Sequence, residues 1–223
     1  MSDTFHTIVI GAGSGGLTVA VGAAKGEVAL AGLQVTMNIW NLLALALDAV
    51  AIAAQALTAR ALGAGDAAQA RALTRLMLRW GTGAALALAG PVLLLAPASG
   101  ALFTDDAAVR HAIAVGMVVL AAGLVVAGPV FVLDGVFLGA GDGRYLAVGS
   151  VAVLVVYLPA LAAVARLAPD GAAGLAWIWV GYTAVFMTAR LAALVGRYRR
   201  DEWLVLGATR GAGRRPAGQS SKP

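Results

Sequence analysis

The chain has 223 residues, 61% of them hydrophobic and only 12% charged, and a mean hydropathy of +0.87. A soluble domain carries about 25% charged residues, so this chain lacks the charge to cover a water-facing surface, and the composition points to a bilayer. The chain has no cysteine and two histidines, His6 and His111; that excludes disulfides and thiol catalysis and leaves little for a metal site. No enzyme activity, cofactor or metal is expected.

In chain order, Thr7 to Gly16 comes first and reads TIVIGAGSGG. Three apolar residues lead into Gly-x-Gly-x-x-Gly at Gly11, Gly13 and Gly16, followed by Leu17 to Lys25. This is the order strand, tight turn, helix start of a dinucleotide-binding fingerprint, whose backbone N–H groups cradle a pyrophosphate. Residues 7–25 resemble the N-terminus of flavin-dependent pyridine-nucleotide disulfide oxidoreductases of the mercuric reductase type. The resemblance implies a truncated, Rossmann-like β-α stub over residues 1–32. It does not extend to the chemistry. No acidic residue comes after a second strand at Val28 to Leu30 to hold a ribose, and no redox cysteine pair exists. The three glycines are therefore expected to be vestigial, with no FAD or NAD bound; a fragment of a flavin or nicotinamide oxidoreductase is the alternative functional reading. Five glycines in Thr7 to Ala24 argue for a soluble stub. Insertion of that uncharged stretch as a sixth span is the competing expectation.

The uncharged runs place the membrane helices. Twenty-five residues without formal charge lie between Arg79 and Asp105, 23 between Arg110 and Asp134, 21 between Arg144 and Arg166, and 19 between Asp170 and Arg190. Each suits a helix crossing a hydrocarbon core about 30 Å thick. Glu27 to Arg60 adds a longer stretch interrupted by Asp48. The expected spans are 33–61, 76–102, 109–140, 145–167 and 172–195. The fold class is an all-α membrane protein of five transmembrane helices over residues 33–200, with a basic, disordered cytoplasmic tail over 201–223. Pro91, Pro129 and Pro159 fall inside spans, where neighbouring helices can satisfy the freed backbone groups.

Thirteen of the sixteen Lys and Arg residues fall on alternate connections or the C-terminal end: Arg60 to Arg79, Arg144, and Arg190 onward. By the positive-inside rule these ends are cytoplasmic, so the pI near 10.2 reads as topology and not as a nucleic-acid surface. The expected location is the plasma (cell inner) membrane, multi-pass, with the C-terminus in the cytoplasm. Two of these ends carry an internal repeat. Leu-Gly-Ala-Gly-Asp occurs at Leu62–Asp66 and at Leu138–Asp142. Its glycines are expected to stop a helix, and Asp66 and Asp142 to cap the next.

The polar residues inside the spans carry the functional case. Gln34, Asn38, Asn41, Asp48 and Gln55 fall within an arc of roughly 100° on one helix face. Such a stripe must meet a bundle interior or a water-filled cavity. Interhelical hydrogen bonding accounts for the amides. Asp48 sits near the middle of its span, where an ionised carboxylate costs about 2.5–3.5 kcal/mol that protonation or a bound cation would relieve. Asp134 is the second candidate. Pro129 before it and Gly135 after it point to a bend that turns carbonyl oxygens toward a cation; an Asp reaching headgroup water is the alternative. Tyr157, Trp177, Trp179, Tyr182 and Thr183 read as packing or interfacial anchors.

Gln34-Val35, Leu43 to Asp66 (LALALDAVAIAAQALTARALGAGD) and Pro129 to Tyr145 (PVFVLDGVFLGAGDGRY) together resemble the C-terminal half of multidrug and toxic compound extrusion (MATE) transporters, in the DNA-damage-inducible protein F-like branch. The resemblance covers residues 33–200. It implies half of a twelve-helix, two-lobe fold that exports organic, often cationic, compounds in exchange for protons or sodium. It further implies that Asp134 and Asp48 serve cation or proton coupling and that Gln34, Asn38, Asn41 and Gln55 line a polar cavity. The implied partners are membrane lipid, an organic substrate and the missing N-terminal lobe, without which five helices are not expected to transport.

Overall fold

The computed structural model describes residues 14–207, all of whose regular structure is helical. Helix α1 (Ser14–Ala24) leads through a turn at Lys25-Gly26 into α2 (Glu27–Gly63). Next come α3 (Ala67–Ser99, extended by a 3-10 turn Gly100–Leu102), α4 (Ala107–Gly139) and α5 (Gly143–Leu167). The last long helix is built from α6 (Gly171–Val180), a π-helical stretch Gly181–Met187 and α7 (Thr188–Arg199). Among the described residues five helices are long and apolar enough to cross a membrane: Glu27–Gly63, Ala67–Leu102, Ala107–Gly139, Gly143–Leu167 and Gly171–Arg199. Four of them contain an expected span and overrun it at one or both ends; the third, Ala107–Gly139, stops one residue short of the expected 109–140.

Helix α4 is the core. It is apolar almost all round, which suits a helix enclosed by others; its buried residues run from Ala112 to Phe137. Glycines let its neighbours approach. A Cβ on Gly135 would lie 2.2 Å from the Ala51 carbonyl oxygen, and one on Gly139 would lie 2.3 Å from that of Gln55. On the other flank, a Cβ on Gly128 would lie 2.6 Å from the Gly81 oxygen. In a bilayer helix association depends on such close van der Waals packing, because lipid tails are as apolar as the side chains they would replace. Helix α4 stays α-helical from Ala107 to Gly139 through Pro129.

The N-terminal segment departs from the expected stub. The strand expected before Gly11, with Gly11 and Gly13 themselves, lies outside the described residues. The described chain, however, is helical from Ser14, and Thr18, Gly22 and Lys25 are buried in the bundle. The Thr18 hydroxyl is 3.3 Å from the Tyr157 hydroxyl on α5, and both residues are buried. Lys25 is 6% exposed, and its Nζ donates to the Ala168 carbonyl at 2.5 Å. The Gly171 N–H in turn donates to the Lys25 carbonyl at 3.1 Å. A cation is thus seated at the C-terminal end of α5, where the helix dipole favours it. The boundary expected at residue 32 falls inside α2. The physical reason is that Leu17 to Ala24 is apolar and uncharged, and such a surface is better buried against α2, α5 and α6 than left in water.

The C-terminal boundary also moves. Residues 201–207, assigned to the tail from sequence, fold back across the C-terminal ends of α2 and α4. Trp203 is 1% exposed, with its ring 6.1 Å from that of Phe137 and stacked at 5.7 Å on Tyr198. The expected disorder of 208–223 lies outside the described residues.

Candidate functional site

The site is built on α2, α4, α5 and α7. On α4, Asp134 projects toward α7 and meets Arg190, with Oδ1 to Nη2 at 2.8 Å. The carboxylate is 30% exposed and the guanidinium 14%. Arg190 also donates to the Ser150 hydroxyl on α5 and approaches the Leu146 carbonyl at 3.4 Å. Three helices therefore converge on one guanidinium, whose fixed fork of donors can serve several acceptors at once. The expected bend at Pro129 is not how Asp134 is provided for; an arginine side chain stands beside it as counter-ion.

Arg190 is the residue that sequence reasoning missed, because charge counting groups it with the basic residues of the C-terminal end. A signal exists: the uncharged runs that begin at Arg110 and Asp170 end in an acid, Asp134, and a base, Arg190. Two helices entering from the same side over similar lengths bring those residues to similar depth.

The α2 stripe falls on one side of the bundle. Gln34, Asn38, Asn41, Asp48 and Gln55 are all exposed, whereas Leu33, Trp40, Leu47 and Ala54 of the same helix are buried. The amides do not spend their polar groups on interhelical hydrogen bonds within the described lobe. The close approach of Gly135 to Ala51 sets the Asp134 turn of α4 against the turn of α2 that follows Asp48. The structure brings Asp48, Asp134 and Arg190 into one neighbourhood and leaves the four amides strung along the helix on either side of it. Among the described residues no group of three or more His, Asp or Glu gathers that could hold a metal ion.

The anchors divide. Trp179 is buried and donates its indole N–H to the Thr36 hydroxyl at 2.9 Å; Tyr157 is buried within the aromatic cluster of Trp40, Tyr182 and Phe186. Trp177 is exposed, as an interfacial residue would be.

The fold and this charged, polar face define a multi-pass membrane protein whose polar residues face away from its own core. The chain belongs to the MatE family, whose model matches residues 8–162. It is similar to three proteins of Arabidopsis thaliana. One is the protein DETOXIFICATION 44, chloroplastic, at 31% identity over 85% of this chain and 36% of the relative. The others are DETOXIFICATION 43, at 30% over 82% and 35%, and DETOXIFICATION 42, at 31% over 82% and 34%. The chain thus spans about a third of the length of these relatives. No solved structure matches it significantly. The family match begins at residue 8, inside the segment that resembles an oxidoreductase. Together with the packing of α1, this leaves the separate stub and the oxidoreductase alternative without support.

Proposed function

We propose that this chain forms part of the C-terminal lobe of an ion-coupled exporter of organic, often cationic, compounds, in the DNA-damage-inducible protein F-like branch, and that it works with an N-terminal lobe that it does not itself contain. The observation that carries this reading is the exposed polar face of α2 beside the Asp134–Arg190 pair. Lipid cannot solvate five polar side chains on a spanning helix, so such a face belongs against water enclosed by further protein. In this reading Gln34, Asn38, Asn41 and Gln55 line the cavity. Asp134 and Asp48 are the carboxylates that exchange a proton or sodium, and Arg190 is the counter-ion beside Asp134. The site uses no cofactor, and its substrates are small organic molecules reached from the cavity.

The same reading places the protein in the plasma membrane with α2 and α4 running toward the cytoplasm and the C-terminus inside. The skew of arginines supports it.

The test is efflux of a cationic dye from cells or vesicles in which the chain is co-expressed with an N-terminal lobe, under a proton or a sodium gradient. Asp134→Asn is expected to abolish gradient-driven export at equal expression, and Asp48→Asn to reduce it. Export unchanged in Asp134→Asn would sink the assignment. A cysteine at Ser220 that reacts with an impermeant maleimide in intact cells would reverse the topology.

A further inference from the structure

The α2–α3 hairpin carries an exposed groove of about 510 Å³ lined by Val50, Leu76, Arg79, Trp80, Gly83, Ala84 and Ala87. Leu76, Arg79, Trp80, Gly83 and Ala87 recur at helical spacing and form one stripe of α3. Every lining residue except Arg79 is apolar or aromatic. Arg79 is exposed and takes part in no ion pair or hydrogen bond among the described residues.

Depth decides what can occupy this groove. Arg79 closes the 25-residue uncharged run that ends at Thr104. Its guanidinium therefore lies where hydrocarbon gives way to headgroups, level with Val50 across the hairpin, so Asp48 sits nearer that boundary than the midpoint of its run suggests, while Gly83, Ala84 and Ala87 continue the groove into the hydrocarbon. Trp80, 65% exposed, marks the same level, since indoles collect at that boundary. Arg75 is exposed one turn further from the hydrocarbon. A second groove, about 460 Å³ between α3 and α4, is lined by Leu86, Ala89, Gly90, Leu93 and Val118 among others, with no charged residue. The two grooves are similar in size and differ in the cation at the mouth.

We propose that the α2–α3 groove is a binding site for an anionic phospholipid, with one acyl chain along Gly83, Ala84 and Ala87 and the phosphate on Arg79. An unpaired guanidinium at headgroup level recognises phosphate through paired N–H donors, and the net negative charge of the lipid is what Arg79, with Arg75 behind it, selects. The α3–α4 groove takes acyl chains without regard to headgroup. The occupant is a lipid and not a second copy of the chain, because a protein surface there would have to bury an unpaired arginine, at the cost of leaving a charge uncompensated.

The structure provides two ways to disturb the groove. Arg79→Gln removes the charge and keeps the shape. Gly83→Leu fills the groove: a Cβ at Gly83 meets nothing within 4 Å, and the same holds for Gly90 in the other groove, so neither substitution clashes with the bundle. The experiment is native mass spectrometry of the purified full chain, titrated with phosphatidylglycerol or phosphatidylcholine. The wild type is expected to retain phosphatidylglycerol in preference to phosphatidylcholine. Arg79→Gln should weaken phosphatidylglycerol binding about fivefold, and Gly83→Leu should remove the preference. Gly90→Leu and Arg199→Gln should leave it intact. Equal retention of the two lipids by the wild type would overturn the proposal. So would a preference that survives both groove variants, a loss as large in Arg199→Gln as in Arg79→Gln, or a dimer that carries no lipid. None of these outcomes depends on transport.

Discussion

Leu62–Asp66 and Leu138–Asp142 share five residues and a backbone, and their aspartates do different work. In both copies the glycine before the Asp is left-handed, Gly65 at φ 80° and Gly141 at φ 75°. In both, the Asp N–H reaches back to a carbonyl five residues earlier, Asp66 to Ala61 at 3.0 Å and Asp142 to Phe137 at 2.9 Å. This is the Schellman helix stop, which satisfies carbonyls that the helix end leaves free. The carboxylates then part. That of Asp66 caps α3 by accepting from the Gln69 N–H at 2.8 Å. That of Asp142 makes no cap and instead pairs with Arg197 of α7 at 2.8 Å, with both side chains under a fifth exposed. Local sequence sets the backbone, which needs only residues within one turn. The carboxylate's partner depends on what other segment arrives: α7 and the 201–207 segment cover the second loop with Arg197 and Trp203, whereas among the described residues the Asp66 carboxylate bonds to its own helix start.

The largest expected effect separates the two copies at their acids. Asp142→Ala removes one of the two carboxylates that pair with Arg197, the other being Glu202, and should destabilise the bundle by about 2–3 kcal/mol, as for loss of a hydrogen bond between charged groups. Unfolding in a graded denaturing-detergent titration measures this. A loss equal to that of Asp66→Ala would erase the distinction between the loops. Next come the glycines, where the two copies should behave alike. Gly65→Ala and Gly141→Ala each force a Cβ into left-handed backbone at about 1–2 kcal/mol, read in the same titration; nothing lies within 4 Å of a Cβ at Gly65, so the cost there is conformational and not steric. Unequal losses would show that tertiary contacts reach the backbone too. The smallest effect is loss of the cap. Asp66→Ala should cost about 1 kcal/mol, and Asp66→Asn, which still accepts from the Gln69 N–H, much less. A double-mutant cycle of Asp142→Ala with Arg197→Ala sharpens the contrast. Its coupling energy should be clearly non-zero, as expected of side chains in direct contact, and that of Asp66→Ala with Arg197→Ala near zero.

The same division runs through the candidate site. Asp134 and Asp48 were legible because a carboxylate inside an apolar run is rare and costly, and the α2 stripe because 3.6-residue periodicity puts its members on one face. Arg190 was not legible as their neighbour, since periodicity within a helix says nothing about which face another helix will meet. The glycines at 128, 135 and 139 decide that, by letting α4 approach α3 and α2 at backbone distance. The N-terminal segment shows the opposite failure. TIVIGAGSGG satisfies a fingerprint by its glycine spacing, yet the residues that follow are helix, with Thr18 against Tyr157 and Gly22 against Leu33. Glycine spacing is shared by phosphate-binding turns and by helices that pack closely, and only the surroundings tell them apart.

By itself the sequence determined that the chain lives in a bilayer, that five stretches are long and apolar enough to cross it, where the helices stop at the repeated pentapeptide, and which residues are too polar for an apolar span. These features arise from composition, run length and local backbone preference, quantities that involve a residue and its near neighbours along the chain. Only the tertiary structure decided that α1 joins the bundle, that Lys25 closes the end of α5, that Arg190 answers Asp134, and that the polar face of α2 points away from α4. Each of these depends on which helices meet and at what depth, and that is fixed by close packing between segments far apart in sequence.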